Sequence, residues 1–409
     1  MRFLVTVTLL TLGTNALNNG VGRTPAMGWN SWNKFGCEIN EALIREHADA
    51  IVASGLADLG YNHINIDDCW QLTRDKDGYI HEDPKTFPSG IKALSDYEWE
   101  IDYFKYDNCN NEGMGSKEGT IERYGALRDA INATGRHINY AICSWGEASI
   151  WEFAEPLGNS WRTTGDIVDN WESVQDLINR NYFLSKYAAP GGFNDMDMLE
   201  VGNGHMTDTE YRTHFAVWAA LKSPLLLGHD VRTMTPETFE IIGNKEIIAI
   251  NQDPLGKSAF LRALLGKIAI WVGELDGGDR VLLVMNGGDG PVGVDVGFSV
   301  LAMDAVDVAA SASYVVEARD LWEKKDLGVF SSGKIRLSSI PSHGSKILRL
   351  RRRNGEFPAI MHSEILETSV TLVQEFDFVP IAVILLFLAG MVGIAWVRRS
   401  RKTGFIHLD

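Results

Sequence analysis

KALSDYEWEIDYFKYDNCNN, Lys92 to Asn111, reads as the last turns of a helix running almost at once into a strand that stops on a carboxylate, Asp107. Successive side chains of a strand point to opposite faces, so Lys105 and Asp107 share one face. A cation and an anion paired on an inward face fit better than a lysine lying along the surface. Segments of the same kind recur: YNHINIDDC (61–69), INYAICSW (138–145), SWRTTGDI (160–167), GGFNDMDML (191–199) and SPLLLG (223–228), with helical patterns between most of them. Glu41 to Leu59 repeats apolar residues at Ile44, Ala48, Ile51 and Val52, with Asn40 to cap it and Gly60 to stop it. Thr207 to Glu210 forms a capping box ahead of Tyr211, Phe215 and Trp218, and Thr235-Pro236 opens a further helix. Strand candidates fall near residues 28, 64, 104, 140, 162, 193 and 225. Repeated βα units predict a parallel sheet. Polar residues at the C-terminal end of nearly every strand favour a (β/α)8-type barrel, which carries its site there, over an open sheet.

The pattern changes after NQDPLGK, Asn251 to Lys257. Short apolar runs separated by DGGD and GGDGP turns predict an antiparallel β-sandwich over 258–352, after a barrel domain over 17–257. Residues 353–377 read as a linker. Phe378 to Val397 is a run of 20 residues without a charge, followed by Arg398, Arg399, Arg401 and Lys402. At ~1.5 Å per residue it makes a helix about 30 Å long, the thickness of a bilayer core. The basic flank predicts a transmembrane helix with 398–409 as a cytoplasmic tail, and counts against the competing lipid-anchor signal. At the other end, residues 1–16 combine Arg2, an apolar stretch and small residues, the pattern of a secretory signal. The chain thus reads as a single-pass protein of the secretory pathway, its mass lumenal or extracellular. That compartment permits disulfides among Cys37, Cys69, Cys109 and Cys143, whose pairing cannot be read from their number. It also permits a glycan on the sequon at Asn132. A formal charge of −16 argues against a nucleic-acid partner and leaves room for a neutral ligand such as a sugar.

The strand ends supply Trp32, Asp67, Asp68, Lys105, Asp107, Cys143, Trp145, Arg162, Asp166, Asp197 and Met198. Carboxylates hydrogen-bond vicinal hydroxyls, and an indole packs on the C–H face of a sugar. Each residue alone also has a structural reading. Asp67 or Asp68 fits the cap of a turn, Asp166 or Asp169 a helix cap, and Trp32 a core residue. No His/Glu cluster has metal spacing, so no metal or other cofactor is expected.

TPAMGWNSWNKFGC, NIDDCW, YFKYDNCNNEG, SWRTTGDI, GGFNDMDMLEVGN and SPLLLGHD…NQDPLG together resemble the family 27 glycoside hydrolases, chiefly the α-galactosidases, from about Thr24 to Leu350. The resemblance implies a (β/α)8 barrel followed by a β-sandwich. It implies that Asp107 is the nucleophile and Asp166 the acid/base of a retaining exo-glycosidase acting on terminal α-galactosyl residues. It assigns sugar contacts to Trp32, Asp67, Asp68, Lys105, Cys143, Trp145, Arg162, Asp197 and Met198, and a disulfide to Cys37–Cys69. A homodimer is compatible with it.

The chain departs from the family where this reading began. Between FPSGIKAL and DYFKYDNC, relatives carry one further βα unit, strand three with its helix; here Leu94 is followed by seven residues, SDYEWEI, and then Asp102. The barrel is therefore expected to be incomplete, with a gap or with strands two and four forced together. The lost unit also takes away the usual partner of Cys109, leaving a Cys109–Cys143 bond as an alternative. A splice form or a gene model missing an exon explains the clean junction; a natural seven-stranded variant is the other reading. Ser144 replaces a glutamate common in relatives, which keeps α-N-acetylgalactosaminidase and β-L-arabinopyranosidase specificities open. A non-catalytic, membrane-held sugar-binding protein is the alternative from a different class.

Overall fold

A computed structural model describes residues 17, 19–97, 102–302, 305–357 and 370–373. The barrel strands are β1 (Met27–Asn30), β2 (His63–Asn65), β5 (Tyr103–Tyr106), β6 (Asn139–Ile142), β7 (Ser160–Arg162), β8 (Phe193–Asp195) and β9 (Leu225–Leu227), with a hairpin of β3 (Gln71–Arg74) and β4 (Ile80–Glu82) after β2. Around them run α1 (Trp32–Phe35), α2 (Glu41–Ala53), α3 (Gly90–Tyr97), α4 (Lys117–Ala133), α5 (Trp171–Asn181), α6 (Asp208–Ala220), α7 (Pro236–Ile242) and α8 (Lys245–Asn251). Every strand expected in the barrel is present.

Local chemistry sets these boundaries. The Asn40 side chain accepts the Leu43 amide and starts α2. Thr207 and Glu210 exchange both bonds of a capping box at α6, and Thr235 accepts the Thr238 amide ahead of Pro236. The helix expected from Glu41 to Leu59 is shorter than its pattern. α2 ends at Ala53, Gly55 takes φ 79°, and Ala57–Leu59 forms a separate 3-10 turn. A residue at positive φ cannot continue a right-handed helix, which is why the apolar period alone overran.

The strands pair in parallel in two groups, β2-β1-β9 and β5-β6-β7-β8. Leu199, just past β8, joins the groups on one side: its amide donates to Leu226 O at 2.7 Å and its carbonyl accepts Gly228 N at 2.9 Å. On the other side β2 and β5 are neighbours with no ladder between them. The missing unit leaves a seam that side chains span. His63 Nδ1 meets Asp102 Oδ1 at 3.0 Å near the strand starts, and Lys105 Nζ meets Asp67 Oδ2 at 2.6 Å near the strand ends. The first pair is open to water on the Asp102 side and adds only ~0–1 kcal/mol; the second is buried.

The apolar core is divided into several clusters. Ala26, Tyr103, Ala141, Met198 and Leu226 form a small cluster drawn from strands of both groups. α4 packs Tyr124 and Ile131 on Tyr140, Ile142 and Trp161 in a cluster of its own. The main cluster joins α2, α5 and α6 to the second domain through Trp271, Leu283, Met285 and Ile347. Each large side chain taken fully out of water contributes ~1.5–3 kcal/mol, so the second domain helps hold the shortened barrel.

That domain is the expected antiparallel sandwich. Its strands are β10 (Phe260–Leu265), β11 (Ile268–Glu274), β12 (Arg280–Asn286), β13 (Val292–Gly297), β14 (Val316–Asp320), β15 (Lys325–Phe330), β16 (Lys334–Ile340), β17 (Ser345–Arg352) and β18 (Val370–Val373), with α9 (Ala305–Ser311) between β13 and β14. One sheet runs β10-β11-β12-β17-β14-β15 and the other β16-β13-β18. β18 lies within the stretch expected as a linker, 353–377. It pairs antiparallel with β13, whose backbone groups on that side have no other strand to bond among the described residues. Among the described residues no helix is long and apolar enough to cross a membrane; the segments expected as signal (1–16) and transmembrane helix (378–397) lie outside the described residues.

Candidate active site

The C-terminal ends of the barrel strands carry one connected network of charged side chains. Lys105, on the inner face of β5, reaches Asp67 Oδ2 at 2.6 Å and Asp107 Oδ2 at 3.1 Å. The shared face read from the sequence is the face that makes both contacts. Asp67 is further held by Asn30 Nδ2 at 2.8 Å and by the Asp68 amide at 2.9 Å. Burial works to raise the Asp67 carboxyl, and Lys105 with these hydrogen bonds outweighs it and holds the group below the usual range. Burial likewise opposes the Lys105 charge, but the surrounding Cys143, Asp67 and Asp107 keep its ammonium well above the ordinary lysine range.

From Asp107 the contacts continue across the mouth. The Cys143 thiol lies 3.4 Å from Asp107 Oδ2, and Arg162 Nη1 lies 3.6 Å from the Cys143 sulfur. Arg162 Nη2 then meets Asp166 Oδ1 at 3.0 Å and Asp197 Oδ2 at 2.9 Å. Three contacts therefore lead from Asp107 to Asp166. Burial pushes the Cys143 thiol well above its ordinary value. Asp107 and Asp166 are the open members: their side chains are 32% and 58% exposed, against 1% for Asp197. A reacting molecule can reach the first two.

Asp197 is a fixed base for this arrangement. Its Oδ2 accepts the Ile167 amide and its Oδ1 the Met198 amide, while its own amide bonds Asp195 Oδ1. It adopts φ 81°, and Trp145 adopts φ 56°. Such left-handed non-glycine residues cost ~1–3 kcal/mol each and persist where surrounding bonds enforce them. Burial raises the Asp197 carboxyl to about 6 despite Arg162. Gly146, next to Trp145, has φ 79° and abuts Thr163 O so closely that a Cβ would collide with it.

The remaining expected residues are placed as follows. Trp32 starts α1, its amide bonded to Asn30 Oδ1 at 2.8 Å. Trp145 is half-buried, and Met198 is buried beside Asp197. Asp68 fits the turn-capping reading, since its Oδ1 accepts the Cys69 amide at 2.8 Å. Asp166 caps no helix; Asn170 caps α5 by accepting the Ser173 amide. Ser144 is fully buried and its hydroxyl has no partner. Cys37 and Cys69 form a disulfide with Cα atoms 5.2 Å apart. The alternative Cys109–Cys143 bond does not form: both thiols are free. They approach different oxygens of Asp107, with Cys143 buried against Arg162 and Cys109 exposed. Among the described residues no group of three or more His, Cys, Asp or Glu side chains is arranged to hold a metal ion.

Sequence reasoning missed Asn30, Asp195 and Glu200. The first two end β1 and β8, so the strand-end rule that found Asp67 applies to them equally. Glu200 bonds Asn33 Nδ2 and Asn203 Nδ2, each at 2.5 Å, and its amide donates to His214 Nε2 at 3.1 Å. Asn33 lies 167 residues from Glu200, so no local signal announces that pairing.

Residues 24–98 and 97–253 match the family described as alpha galactosidase A, and residues 265–350 match the alpha galactosidase C-terminal beta sandwich domain. The first match breaks at the junction where the βα unit is missing. The chain is 45% identical over 364 residues to alpha-galactosidase 3 of Arabidopsis thaliana, covering 78% of this chain and 80% of that one. It superposes on the crystal structure of alpha-galactosidase I from Mortierella vinacea with a TM-score of 0.77 at 39% identity, covering 81% and 98% of the two chains. It also superposes on a Saccharomyces cerevisiae alpha-galactosidase structure with raffinose, at TM-score 0.74 and 27% identity, covering 82% and 99%. Barrel, sandwich and carboxylate-rich mouth define a glycoside hydrolase architecture. The chain belongs to the α-galactosidase family, glycoside hydrolase family 27.

Glu200 gives a pH-dependent prediction. Burial raises its carboxyl from 4.5 to about 7, against the bonds from Asn33 and Asn203 that lower it. A carboxyl raised on folding binds its proton more tightly in the folded chain. Its stabilisation is present at pH below 4.5 and is lost as pH rises through about 7. Urea unfolding of the parent and Glu200→Gln at about pH 5 and about pH 8 should show the parent losing on the order of 2–3 kcal/mol relative to the variant. Parallel pH profiles for the two proteins would contradict this.

Proposed function

We propose that the chain is a retaining exo-glycosidase that hydrolyses terminal α-D-galactosyl residues, with Asp107 as nucleophile and Asp166 as acid/base. The observation that carries the reading is the pair of accessible carboxylates, Asp107 and Asp166, linked through Cys143 and Arg162 at one barrel mouth. The named relatives supply the substrate class.

In this mechanism the Asp107 carboxylate attacks the anomeric carbon while the C–O bond to the leaving group breaks. Asp166 gives its proton to the departing oxygen. The galactosyl group is then an ester of Asp107. Asp166, now a base, takes a proton from water, and that water displaces Asp107 from the sugar. Two inversions leave the α configuration intact, which needs the two carboxyls ~5–5.5 Å apart. Lys105 and Cys143 both touch Asp107 Oδ2 and aim the nucleophile. Asp67, Trp32, Trp145, Arg162, Asp197 and Met198 frame the sugar.

The disulfide and an exposed sequon support a location in the secretory pathway. Cys37–Cys69 suits an oxidising compartment, and Asn132 is exposed at the end of α4. In our reading residues 1–16 direct secretion, Asn132 carries a glycan, and 378–397 anchors the chain with its catalytic part lumenal or extracellular. After alkaline carbonate extraction of expressing cells the chain should stay in the membrane pellet, and Asn132→Gln should abolish its endoglycosidase mobility shift. Release into the supernatant would contradict the anchor.

The two carboxylates can be told apart with 4-nitrophenyl α-galactoside. Asp107→Ala and Asp166→Ala should each lower kcat by at least ~10³-fold. Azide should restore turnover in both, giving the α-azide (retained) with Asp166→Ala and the β-azide (inverted) with Asp107→Ala. Undiminished turnover in either variant, or the reverse stereochemistry, would overturn the assignment.

A further inference from the structure

A cleft of about 750 Å³ lies along the unpaired seam between β2 and β5. Its lining draws on both faces of β5: Lys105 and Asp107 from the inner face, Phe104 and Tyr106 from the outer. Tyr106 packs edge-on against Tyr124 of α4, ring centroids 4.9 Å apart, so the outer side belongs to the helix layer. A cavity that touches both faces of one strand passes through the wall beside it. Among the described residues no strand pairs with β5 on that edge to close the way.

We propose that this cleft is a subsite for a second hexose carried on the galactosyl ring itself, so that the chain also cleaves α-galactosyl residues bearing a sugar substituent. The inference rests on the α-galactosidase reading above and extends it. The leaving group must sit beside Asp166, whose proton it takes. The cleft includes Asp67, Asp68, Lys105 and Asp107 but neither Asp166, Arg162 nor Asp197. Whatever occupies it approaches from the nucleophile's side and is attached to the glycone.

The walls specify the chemistry. Trp70, Ile80 and Phe104 offer apolar and aromatic surface, and Phe104 is 40% exposed. Gln71, Arg74 and Arg123 bring amide and guanidinium groups to the same walls. Asp67, Asp68 and Glu112 on the lining disfavour a phosphate or sulfate. Aromatic faces with planar hydrogen-bonding groups suit a neutral hydroxylated ring.

The test uses the full chain and five substrates: 4-nitrophenyl α-galactoside and its four derivatives with a β-glucosyl unit on O2, O3, O4 or O6. A β-linked substituent is not itself an α-galactoside, so release of nitrophenol with intact disaccharide reports cleavage of a substituted glycone. At least one derivative should be turned over with kcat/KM within about a hundredfold of the parent substrate. Ala126→Trp, which fills the cleft from α4, should lower that value more than about tenfold and leave the parent substrate unaffected. Turnover of the parent with all four derivatives slower by more than a hundredfold overturns the subsite and leaves the α-galactosidase reading intact. Turnover of a derivative that ignores Ala126→Trp places the substituent elsewhere and equally overturns it. Failure on the parent substrate removes the underlying activity and the proposal with it.

Discussion

The ammonium of Lys105 is the point on which the structure turns. It holds Asp67 of the β2 side and Asp107 of the β5 side within 3.1 Å of one charge, across a seam where the neighbouring strands β2 and β5 share no ladder. A buried cation with two carboxylates satisfies its own desolvation only while both anions stay in place, and breaking such an arrangement by removing one partner costs ~3–5 kcal/mol. The same contacts that aim the nucleophile therefore also stitch the scaffold. In a complete barrel these two duties belong to different parts of the molecule: backbone ladders carry the wall, and side chains carry the site.

On the opposite side of the mouth Arg162 plays a parallel part without the structural burden. It joins Cys143, Asp166 and Asp197, but its strand, β7, is paired on both edges. Asp197 is pinned by two backbone amides and adopts a left-handed conformation that only such pinning sustains. The site thus has a rigid half, β6 to β8, and a half that depends on an ion pair, β2 and β5. The apolar core is also divided, with α4 in a cluster separate from α2, α5 and α6.

Much of this was legible in the sequence because strand ends advertise themselves. Asp67, Lys105, Asp107, Arg162, Asp166 and Asp197 each stand at the polar end of a short apolar segment, and the i, i+2 spacing of Lys105 and Asp107 gave their common face. Asn40, Thr207 and Thr235 marked helix starts through their side-chain chemistry. What stayed hidden depends on partners distant in the chain. The Glu200–Asn33 bond, the pairing of β18 with β13, and the side-chain closure of the seam by His63 and Asp102 have no local pattern. The break of α2 at Ala53 turned on the positive φ of Gly55, which an apolar period does not report. Free Cys109 and Cys143 could be settled only by geometry: one is exposed and the other is sealed against Arg162.

The claim that the Lys105 ion pair holds β2 and β5 together at the site end of the seam is tested most directly by hydrogen–deuterium exchange on the full chain and on Lys105→Met, followed in peptides covering residues 61–70, 102–108 and 158–167. The account predicts that the variant exchanges at least tenfold faster in the first two peptides together, while the third, from the ladder-paired side, keeps its protection. Unchanged exchange at both β2 and β5, or the same acceleration in all three peptides, would contradict it.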